Sequence, residues 1–450
     1  MNTLVRGRYE RDFVLEMIPE HNTNTLQFHS ELFFLHAATG GVPSQDTAML
    51  QLIDIVRSPF LPHLLQYSNY QQQSLMSVID SLPKDTTDIP ETVQNMTNSI
   101  SDVFGAANDA LESCVKFTSG YGAAGLVDSL HMFFSAYFGR LDAILTFTRK
   151  TCRLDGDSGV EEDDNANQWT NFQHGFKIIE MCGTLLIRMT GFCEQMCTQL
   201  KAIFQTIVPS NNDAASDGSN YLKSARPMEW DKLLELHEKI SEYGVDTILP
   251  STQDYVAKLN EHAHKFAFDV IFIHLRRHLN ALPKFDVWSA SMQEGLDGEL
   301  PTFSLSPLGY ITHVGDSLLM LPQQLEPYFT ADNEYLMAAL TLGRIPYQEG
   351  GGAQYDHHWL ESFTRGAISV FTENILKIQV ISTHSTRQLL ADIDYFCNIL
   401  AALEIDPSVE LSTIAGLLEV SPQEFGDKVE QLKAESGIVK SIMKMRNIHI

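Results

Sequence analysis

Residues 126–150 read LVDSLHMFFSAYFGRLDAILTFTRK, and the spacing of their apolar side chains decides the fold class. Leu126, Leu130, Phe133, Phe134, Tyr137, Leu141, Ile144 and Leu145 recur at helical intervals, so all eight share one face of a long amphipathic helix. Burying such a stripe contributes on the order of 1.5 to 3 kcal/mol per side chain, against about 1 to 2 kcal/mol per residue for ordering the backbone. The stripe therefore needs a second helix against it, and a bundle supplies one.

Working outward, a second stripe runs through Ile178, Ile179, Cys182, Leu185, Leu186, Met189, Phe192, Cys193, Met196, Leu200, Ile203 and Phe204 until Pro209 and the polar run Ser210 to Asn220 break it. Helical periods also cover Met228 to Tyr243, Tyr255 to Leu282, Ile311 to Leu321, Trp359 to Ile378 and Ser385 to Leu403, whereas alternating runs of strand length are scarce. The class is all-α, with Phe134 and Phe192 as core positions. Breaks are expected in the acidic loop Leu154 to Asn167, after Pro209, from Gln293 to Pro307, and at Gln348 to Ala353 with its three successive glycines. They divide the chain into helical bundles at 1–153, 168–292 and 293–450, with 154–167 as the acidic loop. Neither a repeat of 20 to 50 residues nor sustained heptads are present, which argues against a regular solenoid or a long coiled coil.

The 450 residues carry 31 Lys and Arg against 57 Asp and Glu, a formal charge of −26 that repels a phosphate backbone. The densest basic runs, Arg149-Lys150 and Arg276-Arg277, are too short to line a groove, so nucleic acid is not an expected partner. No signal-peptide run opens the chain and no stretch offers about 18 consecutive apolar residues, so a cytoplasmic protein is expected. Six cysteines are too few for a disulfide scaffold.

Four motifs invite a chemical reading. Gly120-Tyr121-Gly122-Ala123-Ala124-Gly125 matches the dinucleotide fingerprint, follows a strand-like run from Cys114 to Thr118 and opens the helix near Leu126. A nucleotide fold requires a second parallel strand with an acid at its end, yet the helical period continues to Thr148 and Asp142 falls inside it; a tight corner between helices is the better reading. Gly156-Asp157-Ser158-Gly159 copies the nucleophile tetrapeptide of trypsin-like proteases, but Glu161, Glu162, Asp163 and Asp164 beside it would oppose an oxyanion, so a solvated loop is expected. Cys182, Cys193 and Cys197 share a helix with Met189, Phe192 and Met196, a core environment for small hydrophobes rather than a metal site. His274 and His278 lie one turn apart, preceded by His262 and His264. The motif H-E-x-x-H is absent, because Ser241 stands where His237-Glu238 would need its second histidine, and His357-His358 has no spaced partner. Lys265, Arg276 and Arg277 make a positively charged helix face the better account of this region. With no phosphate loop either, the sequence assigns no residue to catalysis, cofactor or metal, and function falls to unassigned interaction surfaces.

Four stretches carry a resemblance: CVKFTSGYGAAGLVDSLHMFFSAYFGRLDAILTFTRKTCRLD from Cys114, QWTNFQHGFKIIEMCGTLL from Gln168, GYITHVGDSLLMLPQQLEPY from Gly309, and QLLADIDYFCNILAALEIDP from Gln388. In this order they resemble the subunit 7 family of the conserved oligomeric Golgi complex, within the helical-rod class of vesicle tethers. The resemblance implies an elongated rod of stacked helical bundles and a non-catalytic, peripheral subunit on the cytoplasmic face of Golgi membranes, without cofactor. It implies partnership with subunit 5 first, then subunits 6 and 8, and with SNAREs and Rab GTPases through the complex, in retrograde vesicle transport that sustains Golgi glycosylation. It also implies that this chain starts inside the rod, since family members are longer and begin with a coiled-coil-forming region. A general cytoplasmic helical adaptor is the alternative that composition leaves open.

Overall fold

The computed structural model describes residues 55, 61–83, 86–118, 120–154, 167–207, 227–243, 248–288, 306–329, 333–347 and 355–448. Among them are thirteen α-helices, two short 3-10 turns and no strand, so the chain is all-α. The helices are α1 (Leu61–Ser81), α2 (Ile89–Thr118), α3 (Ala123–Thr151), α4 (Gln168–Ile207), α5 (Pro227–Tyr243), α6 (Pro250–Ala281), α7 (Gly309–Phe329), α8 (Glu334–Leu342), α9 (Tyr355–Ile375), α10 (Thr383–Ala402), α11 (Val409–Glu419), α12 (Phe425–Leu432) and α13 (Ser436–Arg446).

Two compact units share them: Met1–Phe147 with Glu180–Asn260, and Thr148–Ile179 with Glu261–Ile450. In the first unit the opening stripe behaves as its spacing requires, with Leu126, Leu130, Phe133, Phe134 and Tyr137 all fully buried. The ring of Phe134 meets Phe192 of α4 edge-on at 5.6 Å and Phe104 of α2 at 5.5 Å, so three helices close on one aromatic cluster. Tyr137 is the one polar member of the stripe. Burial holds its hydroxyl un-ionised, and it hydrogen-bonds to Ser99 Oγ of α2 at 2.8 Å, as a buried phenol requires.

Cys114 to Thr118, which the sequence presents as strand-like, is the last turn of α2. Its β-branched and aromatic composition is overridden by burial: Cys114 and Phe117 continue the helical period of Ala110 and Leu111 into the core.

In the second unit the core is again aromatic. Phe268 of α6 stacks on Phe363 of α9 at 4.7 Å, and Phe176 of α4 meets Trp359 of α9 at 5.0 Å. Gly175 lets α4 and α6 approach closely, since a Cβ there would lie 2.8 Å from that of Ala267. α7 packs on α9 and α10, and α11 packs on α10, α12 and α13. The starts of three helices follow from side-chain caps: Asn333, Ser382 and Ser408 each accept from the backbone N–H three residues on, all at 3.1 Å. α7 runs beyond the expected stop at Leu321, through Pro322 and Pro327, to Phe329. Both prolines lie on the exposed face, where water can take the carbonyl that each leaves unbonded.

Candidate functional site

The glycine motif is a corner between α2 and α3. Gly120 adopts φ +88, and a Cβ there would collide with Ile203 of α4; a Cβ on Gly122 would lie 3.0 Å from Tyr67 of α1 and from Thr118. Thr118 Oγ1 donates to the Cys114 carbonyl at 2.7 Å and accepts from the Gly122 N–H at 2.9 Å, closing the α2 end onto the turn. The amides and space that a pyrophosphate would use are occupied by protein, so the motif serves packing. Gly156–Gly159 lies outside the described residues.

Cys182, Cys193 and Cys197 are all buried. Burial pushes the Cys182 thiol up, and likewise holds that of Cys114 at about 11, which leaves both un-ionised at neutral pH. Among the described residues no group of three or more His, Cys, Asp or Glu is placed to hold a metal ion. One arginine of each basic run is engaged within the second unit. Arg149 pairs with Asp269 at 2.7 Å, and Arg276 lies 5.0 Å from the centre of the Phe272 ring. His264 is buried with its ring 5.9 Å from Trp359, and His237 of the first unit sets its ring edge-on to Phe204 at 4.9 Å. These histidines pack; they do not converge.

One arrangement escapes sequence reasoning. A cleft of about 680 Å³ opens between the last turn of α6, the 3-10 turns Leu282–Lys284 and Asp286–Trp288, and the first turn of α7. It brings Arg277 and His278 together with His313, whose ring lies 5.0 Å from that of His278. Burial first, then the neighbouring His313 and Arg277, push the His278 pKa down. The walls are fixed by hydrogen bonds: Trp288 Nε1 donates to the Leu282 carbonyl at 2.6 Å, and Ser385 Oγ to that of Val287 at 2.7 Å. On the other side the Asp392 carboxylate of α10 accepts from the Leu308 N–H and the Tyr310 hydroxyl, both at 2.9 Å. His278 and His313 are 35 positions apart and join no periodic pattern, so only the paired helix ends disclose them.

The profile of a protein family described as Golgi complex component 7 matches residues 11–447. The chain belongs to this family. Two of its relatives are conserved oligomeric Golgi complex subunit 7 of Rattus norvegicus, 31% identical over 409 residues, which cover 84% of this chain and 52% of that protein, and of Homo sapiens, 31% identical over 407 residues, with 83% and 52% covered. The subunit 7 of Arabidopsis thaliana is 25% identical over 483 residues, covering 93% of this chain and 56% of that protein. The chain thus spans about half the length of the curated relatives it matches. The span matched by the family profile, residues 11–447, includes the glycine corner, the aromatic core and the α6–α7 cleft.

Proposed function

We propose that this chain acts as a non-catalytic subunit of the oligomeric Golgi tethering complex. It supports vesicle return within the Golgi, and through it glycosylation and Golgi organisation. The observation that carries this reading is the family match over residues 11–447. The mechanism is geometric: tightly packed helical bundles hold partner proteins at a set separation, and the work is done by surfaces. Subunit 5 is the first partner, followed by subunits 6 and 8, with SNAREs and Rab GTPases engaged through the complex. Its place is the cytoplasmic face of Golgi membranes, held there by partners; among the described residues no helix is long and apolar enough to cross a membrane.

The test is affinity purification of the tagged chain from cells of its source, with quantitative mass spectrometry. Recovery of the other complex subunits, led by subunit 5, is the expected result. Failure to recover any of them with either this chain or a longer form of it would overturn the reading. Uniform cytosolic staining, unaltered when the Golgi is dispersed, would favour a general adaptor instead.

A further inference from the structure

The cleft between α6 and α7 has the size and rigidity of a binding site, and its lining holds three basic side chains against one acid, Asp286, in contrast to the acidic balance of the whole chain. Ligand pockets are typically about 300–1,000 Å³ and mostly apolar with a few convergent polar groups. This one, at about 680 Å³, is lined by Phe285, Val287, Leu308 and Tyr310, with Arg277, His278 and His313 converging on it. In a chain of net charge −26, three groups that are or can become cationic meeting over an apolar floor form a local exception.

We propose that the α6–α7 cleft is a docking site for a short partner segment in which one acidic residue adjoins a bulky apolar one. The carboxylate seats against Arg277, His278 and His313, and the apolar side chain lies on Phe285, Val287 and Tyr310. Charge complementarity favours this occupant over a polyanion, because Asp286 also lines the cleft and repels a second negative charge. The walls need no rearrangement, since Trp288, Ser385 and Asp392 already hold them by hydrogen bonds. A seated carboxylate would also favour the imidazolium form of His278, which burial first, and then His313 and Arg277, now disfavour; Asp286 is the one acid that lines the cleft beside them. Docking therefore takes up a proton and strengthens as pH falls.

The experiment uses the full chain with histidine-selective isotope labelling, and follows the imidazole signals by NMR. The probes are acetyl-Phe-Glu-Leu-amide, its Gln counterpart, and inositol hexakisphosphate. The expected result is a saturable shift of the His278 and His313 signals by the Glu peptide, with affinity about tenfold above the Gln peptide, the size of one charge-assisted hydrogen bond. Affinity should rise from pH 7.5 to 6. His313→Gln, at an exposed position, and Arg277→Gln should each weaken binding several-fold, while Lys265→Gln, exposed on α6 and absent from the cleft lining, should not. Equal affinity for the Glu and Gln peptides, tighter binding of the hexakisphosphate, or no saturable shift by the Glu peptide would overturn the proposal. None of these outcomes depends on whether the Golgi subunits are recovered with the chain.

Discussion

Phe134 shows what a single side chain contributes. It is fully buried and touches Phe104, Phe133, Phe138 and Phe192 at centroid distances from 5.5 to 6.0 Å, so truncation leaves a cavity bounded by rigid rings. Phe134→Ala should lower unfolding free energy by about 3–5 kcal/mol in denaturant titrations, and Phe192→Ala by a similar amount. Because the two rings meet, the double variant should fall short of additivity by about 0.5–1.5 kcal/mol. Asp392 makes a different argument. Burial raises its pKa above 3.8, although the Leu308 amide, Tyr310 and Gln388 oppose the rise. The folded chain then binds its proton more tightly than the unfolded one. The group's contribution to stability is therefore largest below the unfolded pKa, and declines as pH rises through the raised value. Relative to Asp392→Asn, which keeps an acceptor for Leu308 but cannot ionise, the parent chain should lose stability as pH rises across that window. A difference that is flat with pH would refute the assignment.

At the scale of elements, the α2–α3 corner separates two uses of glycine. Gly120 combines a positive φ with contact against Ile203, so Gly120→Ala should cost about 1–3 kcal/mol through strain and overpacking. Gly139 of α3 and Gly191 of α4 are helix-interior positions where an added methyl meets nothing within 4 Å. Gly139→Ala or Gly191→Ala should stabilise by about 0.5–1 kcal/mol, the helix-propensity gain alone. Thermal melts of the three variants in one buffer test the contrast. The long stripes in α3 and α4 were legible from spacing because a helix buried along its whole length repeats its signal over many turns. The short C-terminal helices α11 to α13, of 11, 8 and 11 residues, were not marked by any such repeat. Their stability comes from packing on one another and from Arg446, which donates to the Leu417 and Val420 carbonyls at the end of α11 at 2.7 and 2.9 Å. Those contacts cannot be read from a run of residues.

For the whole molecule, charge is the property that sums over every residue. At −26 the chain repels itself, and added salt screens that repulsion over a Debye length of about 8–10 Å at physiological strength. The melting temperature should rise by a degree or more between about 0.01 and 0.15 M sodium chloride. A fall would mean that favourable ion pairs, such as the largely enclosed Arg149–Asp269, outweigh the net repulsion.

The sequence alone determined the all-α class, the two long amphipathic helices, and the family, because each is written in local spacing or in extended stretches of residue identity. It also settled that the glycine motif turns a corner, since the helical period on its far side leaves no place for the strand a nucleotide fold needs. Tertiary structure decided which segments join in one compact unit, bringing Phe104, Phe134 and Phe192 together across 88 positions, and Phe176 to Trp359 across 183. It alone decided that Arg277, His278 and His313 face a common cleft. Helical periodicity states which face of a helix is buried but not against what, and the pairing of faces is set by complementary packing among residues distant in sequence.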